Sequence, residues 1–237
     1  MAYSGVTTFS MTAAEIIKNA LQKCAVLEEG ESPNTTQNTD GLLDLNILIK
    51  SLTKYGLTLW TIETLSLPLV QSTITYTIGE GGDLDTFKPV KILECAFKDT
   101  SGNETTMTPL TRNEYEDLPN KSITGQPTQF FFDPQIPLSE FSVWPTADAT
   151  AATGTVEMQV QLYIQDVSAT TDDMYFPAEW YDCVIYQLAI RMAPTYGVPL
   201  QERVKLEQMA QKLLDETLAW DNEQESIFLR PTPIWQK

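Results

Sequence analysis

Apolar residues recur at helical intervals near the start of the chain. Ile17, Leu21 and Cys24 fall on one line, with Ile16, Ala20 and Leu27 beside them. Thr12 and Glu15 stand at capping-box spacing ahead of this run, so "TAAEIIKNALQKCAVL" is predicted to be helical. "EEGESPNTTQ" is a polar loop. A second helix is predicted from roughly Asn38 to Tyr55, with Leu42, Leu45, Ile49 and Leu52 on its apolar face and Gly56 as its stop. Two helices joined by a short polar loop predict an antiparallel pair.

From about Thr61 the pattern changes from helical to alternating. "LSLPLV", "ITYTI" and "TVEMQVQLYI" alternate in and out. In the last, Val156, Met158, Val160, Leu162 and Ile164 share one face, and Glu157, Gln159, Gln161 and Gln165 share the other. That is the pattern of a half-buried antiparallel strand. "PVKILECAF", "TQFFFD" and "FSVWP" read as further strands, and "TRNEYEDL" as a short helix. Pro and Gly punctuate the gaps between them.

Helical spacing returns at "FPAEWYDCVIYQLAIRMAPTYG", where Pro177 suits the first turn. Trp180, Val184, Leu188 and Met192 form one ladder, and Tyr181, Ile185 and Ala189 a second. Cys183, Tyr186, Ile190 and Ala193 widen the arc. A helix this apolar has to be covered on more than one side. After the break at "APTYGVP", Pro199 opens a last helix that runs to about Trp220, with Leu206, Ala210, Leu213 and Leu218 on one face.

The expected fold is therefore α+β. Residues 1–60 and 169–222 supply two helix pairs that pack as one bundle, 61–168 form an inserted antiparallel β-rich unit, and 223–237 form an extended tail.

Composition narrows the function. The chain has 237 residues, enough for a sizeable core. Its 15 Lys and Arg stand against 32 Asp and Glu, a net charge of -17. A nucleic-acid reader needs a basic face, so groove binding is excluded as the main role. An acidic surface suits DNA sliding past without adhering. There is no histidine, which removes the commonest general base and metal ligand. Cys24, Cys95 and Cys183 lie far apart in apolar runs and form neither a CxxC pair nor a zinc set. They read as small buried hydrophobes in a reduced compartment. "MAYSGVTTFS" has neither the basic start nor the apolar run of a secretory signal, and no stretch is apolar enough for a membrane span.

Five stretches invite chemistry. "GEGGD" (79–83) follows a strand but lacks the Lys-Ser/Thr of a phosphate loop, and its acids repel phosphate. Asp83 with Asp85, and Asp172 with Asp173, lack the ordered spacing of a calcium loop. Glu114, Glu116 and Asp117 are adjacent acids on a short helix, whereas a glycosidase needs two carboxylates facing across a cleft. Phe130, Phe131 and Phe132 have no basic neighbours for base stacking and read as strand core. No catalytic, cofactor-binding or metal-binding residue is expected.

The order of elements resembles the head-to-tail adaptor proteins of tailed bacteriophages, the family of the tail accessory factor of short-tailed phages that stabilises packaged DNA. "TAAEIIKNALQKCAVLEEGE", "DGLLDLNILIKSLTKYGLTLW", "YTIGEGGDLDTFKPVKIL", "TPLTRNEYEDLPNKSITGQPTQFFFDP", "VWP" and "FPAEWYDCVIYQLAIRMAPTYGVP" carry the resemblance. The long β unit departs from the smaller, mainly helical members. The resemblance implies a structural, non-enzymatic protein of the virion neck, made in the host cytoplasm. It implies a dodecameric ring beneath the portal protein, with a tail tube, nozzle or hub protein below. Genomic double-stranded DNA would pass through its lumen without sequence-specific binding, and no membrane is involved. A ring joins subunits head to tail, so each needs two different lateral surfaces. The alternative is a tail-associated module in which the β unit binds or degrades carbohydrate.

The chain closes on "ESIFLRPTPIWQK", an apolar stretch in an acidic protein. Pro231 and Pro233 forbid a continuing helix. Ile227, Phe228, Leu229, Ile234 and Trp235 are the expected partner-docking anchors, with Arg230 pairing at the rim. The portal or an adjacent adaptor subunit is the expected receiver, and the alternative is a tail folded back onto its own bundle.

Overall fold

The computed structural model describes residue 5 and residues 8–55 and 59–221. Thr12 opens α1 (Ala13–Lys23): its hydroxyl accepts from the Glu15 amide, and the Glu15 carboxylate accepts from the Thr12 amide at 2.9 Å. Asn34 and Gln37 form the same reciprocal box at the start of α2 (Thr35–Leu52). This helix begins ahead of the Asn38 that periodicity indicates, because its first turn is polar and held by its cap. A 3-10 turn continues it to Tyr55, and Gly56 lies outside the described residues.

The β unit follows as β1 (Ile62–Pro68), β2 (Thr75–Ile78), β3 (Pro89–Lys98), β4 (Glu104–Thr106) and β5 (Thr108–Pro109). After the short helix α3 (Arg112–Glu116) come β6 (Thr124–Gly125), β7 (Gln129–Asp133), β8 (Ser139–Trp144), β9 (Thr146–Ala147) and β10 (Thr155–Leu162). The chain ends its described part with α4 (Tyr181–Met192) and α5 (Leu200–Trp220).

One sheet has the order β1-β10-β3-β4 and the other β2-β8-β7-β5. Both contribute to a single hydrophobic core, with Leu67, Phe97, Val156 and Met158 from the first and Tyr76, Ile78, Phe130 and Phe141 from the second. The unit is not wholly antiparallel. β5 runs parallel to β7, and β6 pairs with β9 in a small parallel ribbon. Gln161 also departs from expectation. It is buried, because register shifts at Gln159/Val160 and Gln161/Leu162 break the strict alternation on β10.

The helices share a second core centred on α4, which packs against α1, α2 and α5. Trp180, Val184, Leu188 and Met192 are fully buried, as the ladder requires. Ile164, Val167, Met174 and Phe176 join this core from the segment between β10 and α4. Trp60 reaches it from just before β1, its ring 4.9 Å from that of Trp180. Gly41 lets α1 and α2 approach closely; a Cβ there would lie 2.6 Å from Ile17 Cγ2.

Candidate assembly surface

Most side chains that suggested chemistry are used in local structure. The Asp83 carboxylate accepts from the Thr77 amide and hydroxyl, and Asp85 accepts from the Gly81 amide. "GEGGD" is thus a hydrogen-bonded turn, its Gly82 pressed so close that a Cβ would meet the Thr77 carbonyl at 2.8 Å. The Asp172 carboxylate accepts from the amides of Ser168 and Ala169. The carbonyls of Asp172 and Thr170 take the amides of Ala13 and Ala14, satisfying donors that the first turn of α1 leaves free. Glu114 closes a capping box with Thr111, and Glu116 pairs with Lys121 at 2.7 Å. Among the described residues, no three Cys, Asp or Glu side chains form a group able to hold a metal.

The aromatic run divides three ways. Phe130 is core, stacked on Phe141. Phe131 stacks on Tyr115 at 4.8 Å with the Arg112 guanidinium over its face. Phe132 is half-buried against the β core. Arg112 also donates to Asp133, a mostly buried carboxylate that takes a second hydrogen bond from Gln135. Both donors hold the Asp133 carboxyl below the usual range, Gln135 first and Arg112 second.

Larger features lie on the helical body. The outer side of α2 exposes Leu43 and Ile47, one turn apart and opposite the buried face of Leu45, Ile49 and Leu52. Periodicity reports only the stronger of two apolar stripes here; the second was readable in the near-continuous run "LLDLNILI". On α5, Ala210, Leu214 and Thr217 face the core, whereas Leu200, Val204, Met209 and Trp220 stand exposed.

Between the C-terminus of α1, the middle of α4 and the start of α5 lies a groove of about 330 Å³. Its floor is apolar, with Cys24, Val198 and Leu206, and its rim carries Lys23, Glu202, Lys205 and Met209. Lys23 sits over the Tyr186 ring at 5.0 Å, and Lys205 pairs with Glu202. No local motif announces this groove, because it forms only where three helices meet.

The docking anchors Ile227, Phe228, Leu229, Arg230, Pro231, Ile234 and Trp235 lie outside the described residues. No described helix is long and apolar enough to cross a membrane.

No curated protein matches this chain. Among solved structures, a chain from the neck of an empty GTA particle computed with C6 symmetry aligns with 76% of this chain and 81% of its own length. Its identity is 12% and its TM-score 0.30, too low to carry an argument. A family model described as SU10 adaptor protein matches residues 11–232, from the entry to α1 through the helical core and into the apolar tail. The chain therefore belongs to the SU10 adaptor family, in keeping with the adaptor resemblance of its element order.

Proposed function

We propose that this protein is a structural component of the phage neck, an adaptor ring bound beneath the portal that extends the DNA channel and receives the tail. The family match over residues 11–232 carries this reading. Two further features support it. The helical body presents apolar residues on two separate elements, Leu43 and Ile47 on α2 and Leu200 and Val204 on α5. A head-to-tail ring requires two unlike surfaces of this kind. The net charge of -17 suits a channel through which DNA moves without adhering. Twelve copies, portal binding and the passage of DNA complete the reading, with 227–235 as the segment that docks on a neighbouring protein.

The test is assembly on the portal. Purified protein mixed with the portal protein of the same phage is expected to give a ring at the narrow end of the portal, seen by electron microscopy. Truncation after Asp221 is expected to leave the melting temperature unchanged and to abolish that ring. Failure of the intact chain to associate with the portal, together with binding or turnover of glycan, would favour the carbohydrate-module reading instead.

A further inference from the structure

We propose that the groove between α1, α4 and α5 is the seat of segment 227–235 from a neighbouring copy of this chain. The proposal rests on the ring reading and names the receiver of the tail within it.

The chemistry of groove and segment matches. The floor offers Cys24, Val198 and Leu206 with Met209 at the edge, an apolar trough open to solvent. The segment brings Phe228, Leu229, Ile234 and Trp235, and its prolines at 231 and 233 restrict the free chain, which lowers the ordering cost of binding. Charge matches as well. Lys23 and Lys205 flank the groove in a protein with more than twice as many acids as bases, Lys205 alongside its partner Glu202, and Glu223 and Glu225 lie just ahead of the anchors.

Reach and repulsion argue for a neighbour's tail over the chain's own. Lys205 and Met209 precede Asp221 by 16 and 12 residues, which at helical rise is roughly 18–24 Å. From Asp221, a fully extended chain brings Phe228 back at most ~25 Å. The chain's own tail would have to run taut back along α5, past the acids Glu179, Asp182 and Glu216 that line its C-terminal half. Glu223 and Glu225 would then pass those acids. A tail arriving from another copy need not follow that path.

The experiment uses unmodified full-length chains. Rings assembled on the portal from an equal mixture of nitrogen-14 and nitrogen-15 protein are treated with a carbodiimide, which joins carboxylates to amines in contact. Mass spectrometry is expected to find Lys23 or Lys205 joined to Glu223 or Glu225 in peptides of mixed isotope. Met209→Glu, a change at an exposed position, is expected to abolish those links while the circular dichroism spectrum stays the same. Links of a single isotope only would assign the groove to the chain's own tail and overturn the proposal. Rings with tail-to-portal links, or with no links at the groove, would also overturn it. Absence of any ring would sink the ring reading itself and the proposal with it.

Discussion

Burial sets the chemistry of the three cysteines. It pushes the thiols of Cys24 and Cys183 up to about 11 and that of Cys95 to about 12. Cys24 donates to the Ala189 carbonyl, and Cys95 contacts the Met107 sulfur. A thiol reagent at pH 8 is therefore expected to find no fast-reacting cysteine in the native protein and three after denaturation. The same shifts carry a sign for stability. The folded state holds these protons above the ordinary thiol range, so stability falls as pH rises from ~8.5, where the unfolded thiols begin to ionise. Asp133 acts in the opposite sense. Its carboxyl is held low by Gln135 and Arg112, so its contribution is present above the ordinary carboxylate range and lost as pH falls through the lowered value. Asp133→Asn is expected to melt below the wild type at pH 7, with the gap closing toward pH 3. The buried role of the cysteines was legible from their apolar surroundings. Asp133 was not, because Arg112 lies 21 positions away and only the fold brings them together.

At the scale of elements, ends were harder to read than middles. α1 and α4 declare themselves through ladders in which nearly every apolar residue is buried. The start of α2 was hidden because Asn34 and Gln37 cap a turn with no apolar residue in it. α1 ends in a Schellman arrangement, with the Ala25 amide on the Gln22 carbonyl and the Val26 amide on that of Leu21. Ala25 takes the left-handed conformation, φ 54°, at the position where glycine is usual. Left-handed geometry costs a β-carbon about 1–2 kcal/mol, partly offset by the extra freedom glycine has when unfolded. Ala25→Gly is therefore expected to stabilise the protein by roughly 0.5–1 kcal/mol in urea titration. The shortest strands, β4, β5, β6 and β9, carry no periodicity of their own and are specified by their partners.

At the scale of the whole molecule, the described residues form two hydrophobic cores, one among helices and one between sheets. The expectation of a helical bundle with an inserted β unit becomes a test of how far those cores depend on each other. Ile62 pairs directly with Gln161, so the chain enters and leaves the β unit through adjacent antiparallel strands. Ile164 and Val167 belong with the helices, and Asn46 holds Val167 through both of its backbone groups. A deletion that tests independence therefore has to keep them. Joining Ile62 to Leu162 through a short Gly-Ser linker is expected to leave a helical protein that melts cooperatively. A broad, non-cooperative transition would show that the helices need the β unit to fold.

The pairing of Ile62 with Gln161 also has an evolutionary side. Directly opposed positions in an antiparallel pair stand only ~5 Å apart, so everything between them is bounded by two neighbouring breakpoints. Gene exchange at those two points can replace, enlarge or remove the residues between them without moving either flanking end. The sheet unit can then vary while the helical frame stays constant.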